Sequence, residues 1–179
     1  VFRSRRSTSS VCNWGSAITF PPIFATTEEA ERIYRVCGQI AIFWGPVELG
    51  VEALLVKVRN YRRADRGTFP YSFRKKVATL KTLMRDDDRL SPVLDHLRPL
   101  LGQCAELHQL RSWVVHSICQ GTDLEGQVIF GMSAQKRGVS YTDRHIAFTE
   151  LEAAAAKMRT MNGALEEAFQ RLRDAVASA

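Results

Sequence analysis

Cysteine pairing is missing from this 179-residue chain. Cys12, Cys37, Cys104 and Cys119 form no C-x-x-C unit and keep no regular spacing, which argues against both a thiolate zinc site and a disulfide framework. Cys37 and Cys104 fall on apolar helical faces as inert thiols, so the set reads as a reduced, cytoplasmic protein. Glycines are scattered singly, so no loop is built to cradle a phosphate. The G-x-S-x-G elbow and the H-E-x-x-H zinc helix are both lacking. No uncharged apolar run approaches the ~18 residues of a membrane span. The nearest, residues 36–56, is broken by Gln39, Pro46, Glu48 and Glu52 and reads as a buried helix. The first 25 residues hold Arg3, Arg5 and Arg6 but no acid. No apolar segment follows them, so they read as a basic flexible arm rather than a secretory leader. The chain opens on Val1, as a fragment or processed product would. Nothing calls for a cofactor or a metal: Asp86, Asp87 and Asp88 are consecutive, and neighbouring carboxylates do not converge on one ion without a special turn.

What is present is an ordinary globular composition, 45% hydrophobic and 25% charged with a net charge of +6, enough for one domain with its own core. Thr26 and Glu29 fit a capping box. The apolar positions Ile33, Val36, Cys37, Ile40 and Phe43 then recur at helical spacing. The pattern runs on past Pro46 to about Tyr61, predicting one long helix bent at the proline, or else two helices meeting at Gly45. Ser72 caps a second helix, Phe73 to Arg85. Ser91-Pro92 opens a third, whose apolar face continues to about Cys119, with Pro99 and Gly102 as points of bending and Gly121 as its end. The period then shortens to two. Residues 127–134 and 139–148 predict a β-hairpin around Gln135-Lys136-Arg137-Gly138. Thr149 and Glu152 cap an Ala-rich last helix running to Val176. The expected fold is mainly α: a four- to five-helix up-down bundle with a β-hairpin inserted before the last helix, residues 26–179 forming a single domain.

One segment gathers chemistry. Glu106, His108, Arg111, Ser112 and His116 lie within eleven residues near the end of the third helix. Arg111 and His116 are five residues apart, about 140° around an ideal helix. A long guanidinium can still sweep to an imidazole one turn on. The plainer reading stands beside this one: His116 caps the last turn, Arg111 pairs with Glu106 or Glu48, and His108, one turn before Arg111, is a surface histidine rather than a group facing the same groove. From Lys57 to Arg85 ten basic residues face one acid, Asp65, a net of +9. Lys57, Arg62, Arg63, Arg74, Lys75 and Lys76, interleaved with Tyr61, Phe69, Tyr71 and Phe73, suit a nucleic-acid backbone with stacked bases. A solvated helical face with core aromatics would look the same.

Arg111-Ser112-Trp113-Val114-Val115-His116 resembles the R-x4-6-H signature of the HEPN superfamily, and the element order over roughly residues 27 to 177 is similar too. Ser112 stands where that signature typically has Asn, Asp or His, and Ser117 where Gly often follows. The resemblance implies a homodimer whose signature helices face each other across a composite cleft, acting as a metal-independent endoribonuclease. His116 would be the general acid/base, Arg111 the phosphate stabiliser, Ser112 a phosphate-positioning group, and Glu106 an orienting group. RNA or a nucleotide would be the ligand, with an antitoxin protein as a further partner. Two alternatives stay open: an inactive HEPN-like module binding a nucleotide, RNA or protein through the same groove, and a helical scaffold with a chance motif.

Overall fold

A computed structural model describes residues 26–63, 68–134 and 140–177. Four helices, α1 (Thr27–Tyr61), α2 (Phe73–Arg85), α3 (Ser91–His116) and α4 (Phe148–Ala177), form the body. Three strands, β1 (Ile118–Thr122), β2 (Gln127–Ala134) and β3 (Ser140–Ala147), lie between α3 and α4 in one antiparallel sheet of order β1-β2-β3. The basic arm and the Gln135–Gly138 turn lie outside the described residues, as do Asp65 and Arg66.

The α1 helix starts where Thr26 Oγ1 accepts from Glu29 N at 3.1 Å. It runs unbroken for 35 residues past Pro46. Proline removes one donor, toward the carbonyl four residues back, but packing on both sides keeps the helix whole. Ile33, Val36, Ile40, Val47, Val51, Leu54 and Val58 form its buried stripe and centre the bundle. By length and composition alone this helix also satisfies the criterion for a membrane span, with a mean hydropathy of 1.4 over its most apolar window. At Gly50 α1 packs tightly against α4: a Cβ there would lie 2.9 Å from Leu165 Cδ1.

Ser72 Oγ accepts from Lys75 N at 3.4 Å and starts α2. The three aspartates after it are turn residues. The Asp87 carboxylate accepts from Arg89 N at 3.1 Å, and its carbonyl accepts from Ser91 N at 2.9 Å. That carbonyl takes over the role expected of Ser91. The helix therefore begins at Ser91 itself, with Leu90 in the cap position and no side-chain cap bond. Pro99 and Gly102 leave α3 continuous.

The sequence predicted a hairpin, and the structure adds a third strand. The α3 helix ends at His116 rather than Cys119, and after the extended Ser117 (φ −104°, ψ 165°) the chain enters β1. Ile118 continues the helical apolar period, which hides the break, yet it is 71% exposed. Gly121 does not close a helix. It sits at φ +110°, where the β1/β2 register shifts between Cys119 and Gly121, a left-handed bulge that glycine adopts without Cβ strain. The last helix likewise starts at Phe148, directly after β3, so Thr149 lies inside its first turn. Val128, Phe130 and Ile146 bury the inner face of the sheet. The sheet thus holds the end of α3 in place.

Candidate functional site

A cavity of about 800 Å³ opens between α1, α2, the segment before α2, and the last turns of α3. That volume suits a nucleotide-sized ligand. Arg111 and His116 both line it. Arg111 Nη1 lies 3.2 Å from His116 Nε2. A guanidinium only donates, so this contact uses the Nε2 lone pair and leaves the ring proton on Nδ1. The sweep across five residues occurs because His116 is the last helical residue, where α3 gives way to Ser117. His116 is exposed and Arg111 half-buried. Arg111 Nε is buried with no acceptor among the described residues, a donor that an anionic oxygen would satisfy.

His108 belongs to the same wall rather than to the surface. It stacks on Phe73 at 5.0 Å between centroids, 12° from parallel, and tilts against Trp44 at 5.4 Å. Burial pushes its pKa down, and the charges of Arg111, Arg74 and His116 add to this against the opposing pull of Glu48. An imidazole depressed in this way is neutral at physiological pH.

The opposite wall is acidic but compensated. Lys76 is buried and donates to Glu48 Oε1 at 2.7 Å and to a Glu52 carboxylate oxygen. Trp44 Nε1 donates to Glu48 Oε2 at 3.0 Å. Burial alone would raise the Glu48 carboxyl, but the hydrogen bonds from Lys76 and Trp44 and the charges of Lys76 and Arg111 hold it below the usual range. Burial would lower Lys76, and its two carboxylate partners outweigh that and raise it. The cavity is therefore bipolar, with a guanidinium end and a carboxylate end.

The predicted site residues divide. Arg111 and His116 come together. Ser112 is half-buried, makes no described hydrogen bond, and does not line the cavity. Glu106 is exposed on another face of α3, in a depression shared with Arg144 and Lys157, and does not reach the pair. Of the basic set, Lys76 is committed to its carboxylates and Arg62 Nη1 donates to the Leu83 carbonyl at 2.7 Å. Lys57 is half-buried, and Arg63, at φ +47°, is exposed just past α1. Arg74 and Lys75 are exposed on the first turn of α2, and the Arg74 charge acts on His108. Glu52 and the aromatic face of Trp44 escape a sequence reading because Lys76, Phe73 and His108, which they meet, lie far along the chain. The helical period does place Trp44, Glu48 and Glu52 near one another on α1.

Compared with protein-family models, curated proteins and solved structures, the chain matches none of them.

Proposed function

We propose that the cavity is the active cleft of a HEPN-type, metal-independent endoribonuclease. The observation that carries the reading is the Arg111–His116 contact in a nucleotide-sized cavity, with an unpaired guanidinium N–H beside it. RNA brings its own nucleophile, the 2′-hydroxyl. His116 Nε2 takes that proton once a phosphate draws Arg111 away from the imidazole, and the hydroxyl oxygen attacks the adjacent phosphorus. The 5′-oxygen leaves with the proton that the His116 imidazolium gives back, and a 2′,3′-cyclic phosphate remains. Arg111 holds the non-bridging oxygens and stabilises the charge that builds on them. Arg74, whose charge acts on His108, adds positive field to that wall.

The protein acts as a homodimer in this reading. Val115 and Ile118 flank His116 and are 40% and 71% exposed, an apolar rim that a second copy would cover. A module that binds RNA or a nucleotide without cleaving it is the second reading, favoured by Ser112 standing outside the cavity. An antitoxin protein and a cytoplasmic setting belong to the same proposal. Incubating the purified protein with labelled RNA in EDTA separates the two. The nuclease reading expects cleavage that both Arg111→Ala and His116→Ala abolish. Equal cleavage by wild type and variants overturns it, and binding without cleavage leaves the module.

A further inference from the structure

The geometry points to a guanine-reading subsite at the carboxylate end of the cavity, with Glu52 as its specificity-determining residue and Tyr71 as its stacking platform. This deepens the reading of the cleft as an RNA site and rests on it.

The argument starts from the bipolar cavity. One end offers Arg111 to a phosphate. At the other, two carboxylates share one ammonium, so a phosphate is repelled there and a hydrogen-bond donor is wanted. A nucleotide has that polarity, anionic at the phosphate and rich in N–H donors on the base edge. Both oxygens of Glu48 are engaged, one by Lys76 and one by Trp44. Glu52 lines the same cavity, its side chain one-third exposed, and only its Oε1 has a partner among the described residues. Its second oxygen is an open acceptor. Lys76 holds the carboxylate in place, so the acceptor is preorganised.

A fixed carboxylate discriminates among bases by donor pattern. Guanine presents N1–H and the 2-amino group side by side, two parallel donors for one carboxylate fork, one to the open oxygen and one to the lone pair that Lys76 leaves on Oε1. Adenine and cytosine set one amino group beside a ring-nitrogen lone pair, which a carboxylate repels. Uracil flanks its single N–H with two carbonyl oxygens. Reading of the Watson–Crick edge requires an unpaired base, so the substrate is single-stranded. Tyr71 supplies the face contact. It lines the cavity, is 97% exposed, and makes no ring contact among the described residues. A bare aromatic at a cavity mouth is a stacking surface of the kind single-stranded RNA uses.

The test is equilibrium binding of 3′-GMP, 3′-IMP, 3′-AMP, 3′-CMP and 3′-UMP to the full chain by calorimetry, which needs no cleavage. Inosine lacks only the 2-amino group, so the GMP/IMP pair probes the fork on wild-type protein without any variant. We expect 3′-GMP to bind about tenfold or more tightly than each of the others, as a charge-assisted hydrogen bond allows. Glu52→Gln should cut the GMP/IMP ratio to about twofold or less, with folding checked by circular dichroism. Tyr71→Ala should weaken all nucleotides by a similar factor, and Arg111→Ala should weaken them while keeping the order. Equal affinity for the five nucleotides, or a GMP/IMP ratio that survives in folded Glu52→Gln, overturns the subsite. So does a cavity that binds a basic peptide and no nucleotide. Guanine-selective binding without RNA cleavage leaves the subsite standing and removes the nuclease. Cleavage without any nucleotide preference does the reverse.

Discussion

Lys76 Nζ sits 2.7 Å from Glu48 Oε1, joining residues 28 positions apart in the chain through the wall of the cavity. The pair ties α2 to α1 with an ammonium that is almost wholly buried. Removing it strands two carboxylates. For Lys76→Met we expect a loss of about 2–3 kcal/mol in urea unfolding, somewhat below the cost of breaking a fully buried pair because both glutamates keep part of their hydration. Opposite shifts give opposite pH limits. The depressed Glu48 contributes stability above the ordinary carboxyl value of about 4.5, lost as pH falls through its lower folded value. The raised Lys76 contributes below the ordinary 10.5, lost as pH rises through its higher folded value. Lys76→Met should flatten both limbs, read from urea midpoints across pH.

The neutral His108 predicts a third limb. Its folded pKa lies below the ordinary 6.5, so the unfolded chain takes up a proton first and stability falls as pH drops below that value. Protonation also places a cation against the Trp44 ring, 5.4 Å away, and quenches its emission. Trp fluorescence of the folded protein should therefore fall with a midpoint below pH 6.5. His108→Phe keeps the stack on Phe73 and should abolish the step.

The α1–α4 contact at Gly50 predicts a coupled pair. Alanine at 50 gains about 1 kcal/mol of helix propensity but meets Leu165 at both Cδ1 (2.9 Å) and Cβ (3.1 Å). Overpacking of this kind costs about 1–3 kcal/mol. Gly50→Ala should lower Tm, and Leu165→Ala should cost less in the Gly50→Ala background than alone. Additivity in the double-mutant cycle would remove the close contact from the account.

In the proposed nuclease, cleavage should depend on both the guanidinium and the imidazole. Arg111→Ala is expected to lower kcat/KM for RNA about 10²–10³-fold, and His116→Ala about 10²–10⁴-fold. Arg111→Lys keeps the charge but not the fork and should recover only part of the loss. Glu106→Gln, on another face of α3, should change the rate by less than about twofold, since surface changes act weakly. Initial rates on one labelled RNA check all four.

The helical part of this fold is legible in the sequence because its signals are local. Thr26 and Ser72 cap the helices they were expected to cap, and Phe73–Arg85 was read to the residue. The β1 strand was hidden because Ile118 falls in phase with the helix before it, and only the Gly121 bulge marks the change of period. The Arg111–His116 pair was visible as a spacing, although an ideal helix argued against its contact. Lys76 was read as a phosphate ligand because its neighbours Arg74 and Lys75 are basic, while the carboxylates that claim it lie on another helix. Glu106 was grouped with Arg111 by proximity along the chain, but five residues of helix carry it to a different face.

His116 closes α3 and Ser117 alone separates it from the sheet, so the guanidinium and the imidazole are carried on a single six-residue stretch of one polypeptide. A copy lacking Arg111 mixed with a copy lacking His116 leaves no protomer holding both groups, so any cleavage regained on co-expression of the two alleles must come from one copy's Arg111 working with the other's His116 across the proposed homodimer. In genetic language, complementation between the two lesions reports a shared cleft, and its absence a self-contained one.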